Sequence, residues 1–297
     1  MPRWLQTLLS NRKGAFGLVC VLGFVLLGLL GPLLVGDPSA FVARPNEPPS
    51  LAHWLGTTGQ GQDVFAQTVA GAQLTLLVGA VTGALVVAVG ALVGGAAGYF
   101  GGRVDDGLSL LINVFLVMPG LPLMVVLAAW LPPGPVTMTA VLVLTGWAWN
   151  ARVIRAQTLS LRQRDFVSAA TLSGEGALRI IVVEILPHMA SLLVSSFIGA
   201  TIYAIGAQVG LEFLGLGDIS KVTWGTNLYW AANGAALLTG AWWTFVPTGL
   251  CVALVGFGLA MLNFGIDELT NPRLSARNHP VHAGPGLVST PLYEEES

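Results

Sequence analysis

Residues 75–99 read TLLVGAVTGALVVAVGALVGGAAGY, an unbroken run without a charged side chain. An α-helix needs about 20 apolar residues to cross the hydrocarbon core of a bilayer, so this run predicts a membrane span. The whole chain has the same character, because 54% of its 297 residues are hydrophobic and only 9% are charged. Soluble domains contain about 25% charged residues. The composition therefore indicates an integral membrane protein and argues against a water-soluble enzyme.

Charged residues and prolines divide the rest of the chain into further apolar runs. The Pro-Pro-Gly-Pro sequence at 132–135 separates two of them, because consecutive prolines remove backbone donors and force a turn. We therefore predict an all-α integral membrane protein with six transmembrane helices, of which the first is an uncleaved anchor without a small-residue cleavage site. The predicted spans are residues 16–36, 75–99, 108–130, 136–149, 189–209 and 242–266.

The distribution of Lys and Arg predicts the orientation of these spans. Of the 13 lysines and arginines, only Arg44 and Lys221 fall on one side of the predicted membrane. Positive residues concentrate on the cytoplasmic side, so both termini are predicted to be cytoplasmic. The net charge of −2 argues against a nucleic-acid partner, which would need a basic face.

Three regions follow from this topology. Residues 1–72 comprise a cytoplasmic segment, the anchor helix and the first outer loop. Residues 73–267 form a core of five spans with a long cytoplasmic loop at 152–187, and residues 268–297 form a cytoplasmic tail that is predicted to be disordered. Glycines in the second span predict close helix packing; they are Gly79, Gly83, Gly90, Gly94, Gly95 and Gly98.

The cytoplasmic loop carries arginines and apolar residues at helical spacing, interrupted by Gly174 and Gly176. This pattern predicts two short amphipathic helices. Such a pair could dock against a partner protein or rest on lipid headgroups. The residues alone leave both possibilities open.

Two outer segments also have distinctive sequences. Residues 53–63, HWLGTTGQGQD, form a Gly-rich loop that lacks the Lys-Ser/Thr ending of a phosphate-binding loop, and Asp63 is expected to cap the next helix. Residues 212–241 are rich in aromatics and suit a short helix along the outer mouth, with Glu212 one helical turn from Gln208. No metal site is expected.

Several of these segments resemble one family in the order in which they occur. Ser168-Ala169-Ala170, Gly174 and Leu186-Pro187 resemble the EAA loop of ABC importer permeases. HWLGT at 53–57 followed by Asp63, and FLGLG at 213–217 followed by Trp224-Gly225, are similar to the C-type subunits of the dipeptide, oligopeptide and nickel permeases.

The resemblance implies a type I ABC importer permease fold in a bacterial inner membrane. It implies partners: a homologous permease in a heterodimer, two cytoplasmic ABC ATPase subunits and an extracytoplasmic solute-binding protein. ATP and Mg would bind the ATPases, so this chain would hold no cofactor and would not be an enzyme. Di- or oligopeptides are the expected substrate, with nickel or another small solute, or an ion-coupled carrier, as alternatives.

The resemblance also implies roles for particular residues. In the loop that couples to the ATPase, these are Ser168, Ala169, Ala170, Gly174, Glu175, Leu186 and Pro187. In the outer loops and gate, they are Gly56, Thr57, Gly61, Asp63, Gln208, Glu212, Phe213, Gly215, Gly217, Trp224 and Gly225. The sequence departs from the family pattern at four positions: Ser168 and Gln208 replace Glu, Gln62 replaces Arg, and Glu212 replaces a small residue.

Overall fold

The structure is a computed structural model that describes residues 11–270, with side chains through residue 268. Within that range the chain is built from helices, and two isolated β-bridges join parts of one loop. The predicted tail at 268–297 lies almost wholly outside the described residues. The same holds for Arg3, Arg273 and Arg277, which contribute to the predicted orientation.

The helices differ widely in length along the chain. A π-helical turn, Ile180–Ile185, and a 3₁₀ turn, Trp242–Thr244, lie between them. In chain order the helices are α1 (Arg12–Leu34), α2 (Val64–Phe100), α3 (Gly102–Val117), α4 (Gly120–Trp130), α5 (Pro135–Leu161), α6 (Asp165–Leu172), α7 (Ala177–Arg179), α8 (Leu186–His188), α9 (Ala190–Phe213), α10 (Trp224–Asn233), α11 (Ala236–Thr239) and α12 (Val246–Thr270).

Among the described residues, four helical segments are long and apolar enough to cross a membrane: α1, α2, α9 and the segment Trp242–Glu268. A fifth is obtained if α3 and α4 count together as one span. The remaining predicted span, 136–149, is the first half of α5, which is 27 residues long. The structure therefore supports four or five spans by length and composition, where the sequence predicts six.

The prediction of one continuous helix at 108–130 is wrong. The chain breaks between α3 and α4, whose axes differ by 85°. Pro119 lacks the N–H that a continuing helix would use, and it forces the preceding residue out of the helical region. Met118 accordingly has an extended backbone, with φ −63° and ψ 136°.

Two predicted helix boundaries also shift. Helix α5 continues past residue 149 to Leu161, so the first part of the predicted loop 152–187 is helical. Arg155 in this part of the helix is paired, because its Nη2 donates to Asp105 Oδ2 at 2.6 Å. Helix α2 begins at Val64 rather than at residue 75. The predicted cap is confirmed, since Asp63 Oδ1 accepts the N–H of Ala66 at 2.9 Å.

Helix α2 is the centre of the fold, and its glycines allow neighbouring backbones to approach. A Cβ atom on Gly83 would lie 2.4 Å from the Oγ1 of Thr201 on α9, and one on Gly98 would lie 2.8 Å from the carbonyl oxygen of Arg155 on α5. Lipid gives helices little hydrophobic reason to associate, so such close van der Waals contacts supply much of the stability. The predicted close packing is confirmed.

Replacing Gly94 by alanine tests the contact between α2 and α5. A Cβ atom at this position would lie 2.3 Å from the carbonyl oxygen of Ala151, so the two helices would have to separate. We expect Gly94→Ala to lower the free energy of unfolding by about 1–3 kcal/mol, as overpacked cores do. The measurement is the melting temperature of the purified chain in detergent.

Gly107→Ala in α3 is the matched control. A Cβ atom there meets no atom within 4 Å, and alanine favours a helix over glycine by about 1 kcal/mol. Its melting temperature should equal or exceed that of the wild type. Equal melting temperatures for Gly94→Ala and Gly107→Ala would contradict the close approach of α2 and α5.

Candidate functional site

The first loop folds around Thr57, whose side chain is fully buried. The Thr57 hydroxyl donates to the carbonyl oxygen of Arg44 at 2.7 Å, and its N–H donates to the carbonyl oxygen of Glu47 at 3.0 Å. The indole Nε1 of Trp243 donates to the Thr57 carbonyl oxygen at 3.2 Å. We name this arrangement the Thr57 loop. It joins the segment after α1 to the segment before α12.

Three further residues of the predicted outer set complete the Thr57 loop. Gly56 and Gly61 have positive φ angles of 71° and 80°, which favour glycine. A Cβ atom on Gly61 would also lie 2.4 Å from the carbonyl oxygen of Ala43. Asp63 ends the loop, because one carboxylate oxygen caps α2 and the other lies 2.9 Å from His53 Nδ1.

Glu212 is the centre of a second group near the end of α9 and is only 6% exposed. Its Oε2 accepts a hydrogen bond from the Thr223 hydroxyl at 2.5 Å, and its Oε1 accepts one from Gln208 Nε2 at 2.9 Å. The predicted placement of Gln208 and Glu212 on one face is confirmed. We name this group the Glu212 cluster.

Two glycines of the FLGLG and WG sequences leave room for this carboxylate. A Cβ atom on Gly225 would lie 2.4 Å from Glu212 Oε2, and one on Gly217 would lie 2.7 Å from Glu212 Cγ. Any larger residue at either position would therefore displace the Glu212 side chain. Gly215 serves a different purpose: it has a φ of 79° and lies against the Tyr229 ring.

Trp224 fixes α10 to α2. Its side chain is fully buried; its indole Nε1 donates to the Thr68 carbonyl oxygen at 2.9 Å, and its backbone N–H donates to Thr75 Oγ1 at 3.1 Å. Phe213 is not part of the cluster, since it is 46% exposed. In the connecting loop, hydrogen bonds from Ser220 hold the pKa of Asp218 below its usual value.

Thr223, which links Glu212 to α10, was not among the site residues predicted from the sequence. Thr223 caps α10 by accepting the N–H of Thr226 at 3.0 Å, and Thr226 Oγ1 accepts the N–H of Thr223 at 2.9 Å. This reciprocal pair is a capping box. The threonines on either side of the WG sequence, three residues apart, are the signal that could have identified it.

The loop after α5 is a compact segment of short helices, residues 165–188, which we call the coupling segment. Its inner face is buried through Val167, Ile180 and Ile185. On its outer face, Leu172 is 90% exposed and Leu178 is 69% exposed. The predicted pair of amphipathic helices is confirmed in outline, although a π-helical turn replaces most of the second.

The EAA-like residues lie in the first half of the coupling segment, within α6. Ser168 lines a cavity of about 530 Å³ together with Tyr99, Phe100 and Arg162. Ala169 and Ala170 follow it in the same helix, and the carbonyl oxygen of Ala169 accepts the N–H of Ser173 at 3.0 Å.

A glycine with left-handed backbone geometry joins the two halves. Gly174 has a φ of 80°, and its N–H donates to the carbonyl oxygen of Thr171 at 3.0 Å. Glu175 forms an ion pair with Arg179 within the segment.

Leu186 and Pro187 lie in α8, at the far end of the coupling segment. The adjacent His188 stacks on Phe166 with ring centroids 4.2 Å apart, which joins the two ends of the segment. The Thr57 loop and the Glu212 cluster contact the beginning of α2, whereas Ser168 lies near its end. Since α2 has 37 residues, these regions are separated by about 50 Å of helix.

The family model described as "Binding-protein-dependent transport system inner membrane component" matches residues 87–274. The chain belongs to this family. The dipeptide transport system permease protein DppC of Bacillus subtilis (strain 168) is 31% identical over 275 residues, which cover 91% of this chain and 84% of that protein. The oligopeptide transport system permease protein OppC of Mycobacterium tuberculosis (strain ATCC 25618 / H37Rv) is 36% identical over 268 residues, covering 86% of this chain and 91% of that protein.

The resemblance identified from the motifs is therefore confirmed. Together with the apolar helices, family membership identifies a multi-pass inner membrane protein that serves as a transport component and is not itself an enzyme. Permeases of this family work with an ATPase and a solute-binding protein. The site residues cluster at the two ends of α2, away from its middle.

Replacing Glu212 by leucine tests the Glu212 cluster. The variant removes the acceptor for Thr223 and Gln208, and a buried donor left unpaired costs about 1–3 kcal/mol. We expect Glu212→Leu to lower the melting temperature of the chain in detergent. Glu212→Gln keeps one acceptor oxygen and a similar volume, and should lose less. A leucine variant as stable as the wild type would contradict this role for the carboxylate.

Proposed function

We propose that this chain is a membrane-spanning permease subunit of an ATP-driven ABC importer, and that it forms half of the translocation pathway for di- or oligopeptides. The observation that carries the proposal is its likeness, over 86–91% of its length, to the dipeptide and oligopeptide permeases named above. A homologous permease supplies the other half, in a heterodimer. No observation favours nickel or an ion-coupled carrier.

The proposal includes six spans with both termini in the cytoplasm. The distribution of Lys and Arg supports this orientation. Helix α5 completes the six, as the fourth span in chain order. The polar end of α5 has partners within the protein: Arg152 Nη2 donates to Asn113 Oδ1 at 2.7 Å, and Arg155 pairs with Asp105. Both arginines lie at the proposed cytoplasmic end of this span, where positive residues concentrate.

The coupling segment transmits movement from the ATPases. Leu172 and Leu178 are exposed apolar side chains that can enter a groove on one ATPase, while Val167 and Ile185 hold the segment against the helices. ATP and Mg²⁺ bind the ATPase subunits, not this chain. Closure of the ATPases on ATP shifts the equilibrium between two arrangements of the helices, because each arrangement presents the segment differently.

The positions at which the sequence differs from the family pattern suggest how the coupling segment contacts the ATPase. Ser168 carries no charge, and Glu175 is already paired with Arg179. Docking on the ATPase therefore depends on apolar contact more than on an ion pair from the EAA-like helix. On the other side of the membrane, the Thr57 loop and the Glu212 cluster form the outer end of the permease, where a solute-binding protein delivers the peptide.

The experiment is purification of the tagged chain from its own membranes in mild detergent, followed by subunit mass spectrometry and reconstitution into proteoliposomes. A second permease, two ATPase subunits and ATP-dependent uptake of labelled tripeptides are expected. A chain that emerges alone, or uptake that persists without ATP and collapses with an ionophore, would contradict the proposal.

Gly174→Val tests coupling in the same preparation. An L-residue in the left-handed region costs about 1–2 kcal/mol, and a β-branched one is especially unfavourable there, so the two halves of the segment should change their relative orientation. We expect ATP hydrolysis to continue while peptide uptake per ATP falls at least severalfold.

Two variants separate backbone geometry from added bulk. Gly176→Val adds the same side chain where φ is −70° and a Cβ atom meets nothing within 4 Å, so it should lose less coupling. Gly174→Asn adds a residue that tolerates the left-handed region, and it should also lose less. Normal coupling in Gly174→Val would exclude a role for this turn.

A further inference from the structure

A cavity of about 590 Å³ lies among α2, α3, α5 and α9. Its lining residues sit well inside the helices: Thr145 and Asn150 are 10 and 15 residues beyond the start of α5, which is about 15 and 22 Å along the axis. Gly199 and Tyr203 line it from α9. The cavity is therefore at membrane depth, between the two ends where the predicted site residues cluster.

The wall of this cavity carries polar side chains among apolar ones. Thr145, Asn150, Ser196 and Tyr203 contribute hydroxyl and amide groups, and Trp149 contributes an indole. Polar side chains at membrane depth face a water-filled space or other protein, because hydrocarbon leaves their hydrogen bonds unmade.

A second cavity, of about 800 Å³, lies between α2 and α5 and has the opposite character. Its wall is almost entirely aliphatic and includes Leu77, Val81, Leu85 and Val143. Such a wall is expected to contact lipid tails or apolar helices. The contrast assigns the polar face of α5 and α9, not the aliphatic one, to the path of a hydrophilic solute.

The polar cavity also has open space and exposed aromatic surface. A Cβ atom on Gly199 would meet nothing within 4 Å. Tyr203 and Trp149 are 45% and 62% exposed although they lie in long apolar helices. The polar group of such a ring can hydrogen-bond to a peptide main chain, and the ring itself can contact apolar side chains.

Among the described residues that line the cavity, none is Asp, Glu, Lys, Arg or His. A nearby carboxylate, that of Asp267, accepts a hydrogen bond from the Ser195 hydroxyl at 2.7 Å. Charges interact strongly where water is scarce, so an uncompensated wall charge would retain peptides of one sign and repel those of the other. An uncharged wall does neither.

We propose that this cavity is the peptide passage contributed by this chain, and that its partly polar, uncharged wall passes peptides irrespective of their side-chain charge. The inference rests on the proposed function. It adds the position of the passage, the residues that line it, and the reason why acidic, basic and neutral peptides can share it.

The first test is to obstruct the passage. Gly199→Phe places a ring in the open space without a backbone clash, and uptake of labelled tripeptides by the reconstituted importer should fall at least tenfold. Gly23→Phe on α1 is the matched control, because a Cβ atom there also meets nothing within 4 Å and Gly23 does not line the cavity. Its uptake should stay within twofold of the wild type.

The second test adds charge to the wall. Ser196→Asp and Ser196→Lys are compared with the wild type on tripeptides whose central residue is glutamate, lysine or alanine, delivered by the same binding protein. The aspartate variant should shift the uptake ratio of lysine to glutamate peptide at least tenfold in one direction, and the lysine variant should shift it in the other. The ratio to the alanine peptide corrects for loss of folded protein.

The outcomes separate this inference from the function on which it rests. If the assembled wild-type importer moves no peptide, the proposed function fails. If the wild type transports peptides but Gly199→Phe leaves uptake unchanged, or neither Ser196 variant changes the charge ratio, the passage lies elsewhere and this inference fails alone.

Discussion

The close contact of α2 with α5 and α9 is the constraint on which the rest of the structure depends. Hydrocarbon gives apolar helices no reason to prefer one another over lipid, so backbone approach has to provide the stability. Gly94 permits that approach to α5 and Gly83 permits it to α9. With its neighbours held in this way, α2 carries the Thr57 loop and the Glu212 cluster near one end and the coupling segment near the other.

This arrangement relates the two ends of the protein mechanically. Trp224 fixes α10 to the first part of α2 through two hydrogen bonds, and Ile180 and Val167 are buried near its last part. A tilt of α2 and its partners would therefore move both ends together. The polar cavity lies along the same helices, so such a tilt would also alter its width.

The sequence predicted features that depend on local periodicity or on charge. The spans follow from uncharged runs, the Asp63 cap from its position before an apolar helix, and the neighbourhood of Gln208 and Glu212 from their spacing of four residues. Features created by distant partners were not predictable in this way. Arg155, in the part of α5 that continues beyond the predicted span, pairs with Asp105 on another helix. The Thr57 loop is held by a distant residue, because the indole of Trp243 donates a hydrogen bond to the Thr57 carbonyl oxygen. Sequence pattern alone also did not indicate that Pro119 would bend its span by 85° instead of kinking it slightly.

That bend has a consequence for what can surround it. Pro119 offers no N–H to the last turn of α3, and the first N–H groups of α4 have no preceding turn to receive them, so the break leaves backbone donors and acceptors to be satisfied from outside the helices. Irregular backbone at membrane depth is stable only against protein or water. If α3 and α4 form one span, the corner between them therefore faces protein or water and not lipid. Leu116, three residues before Pro119, lines the polar cavity, so one side of this corner borders the proposed passage.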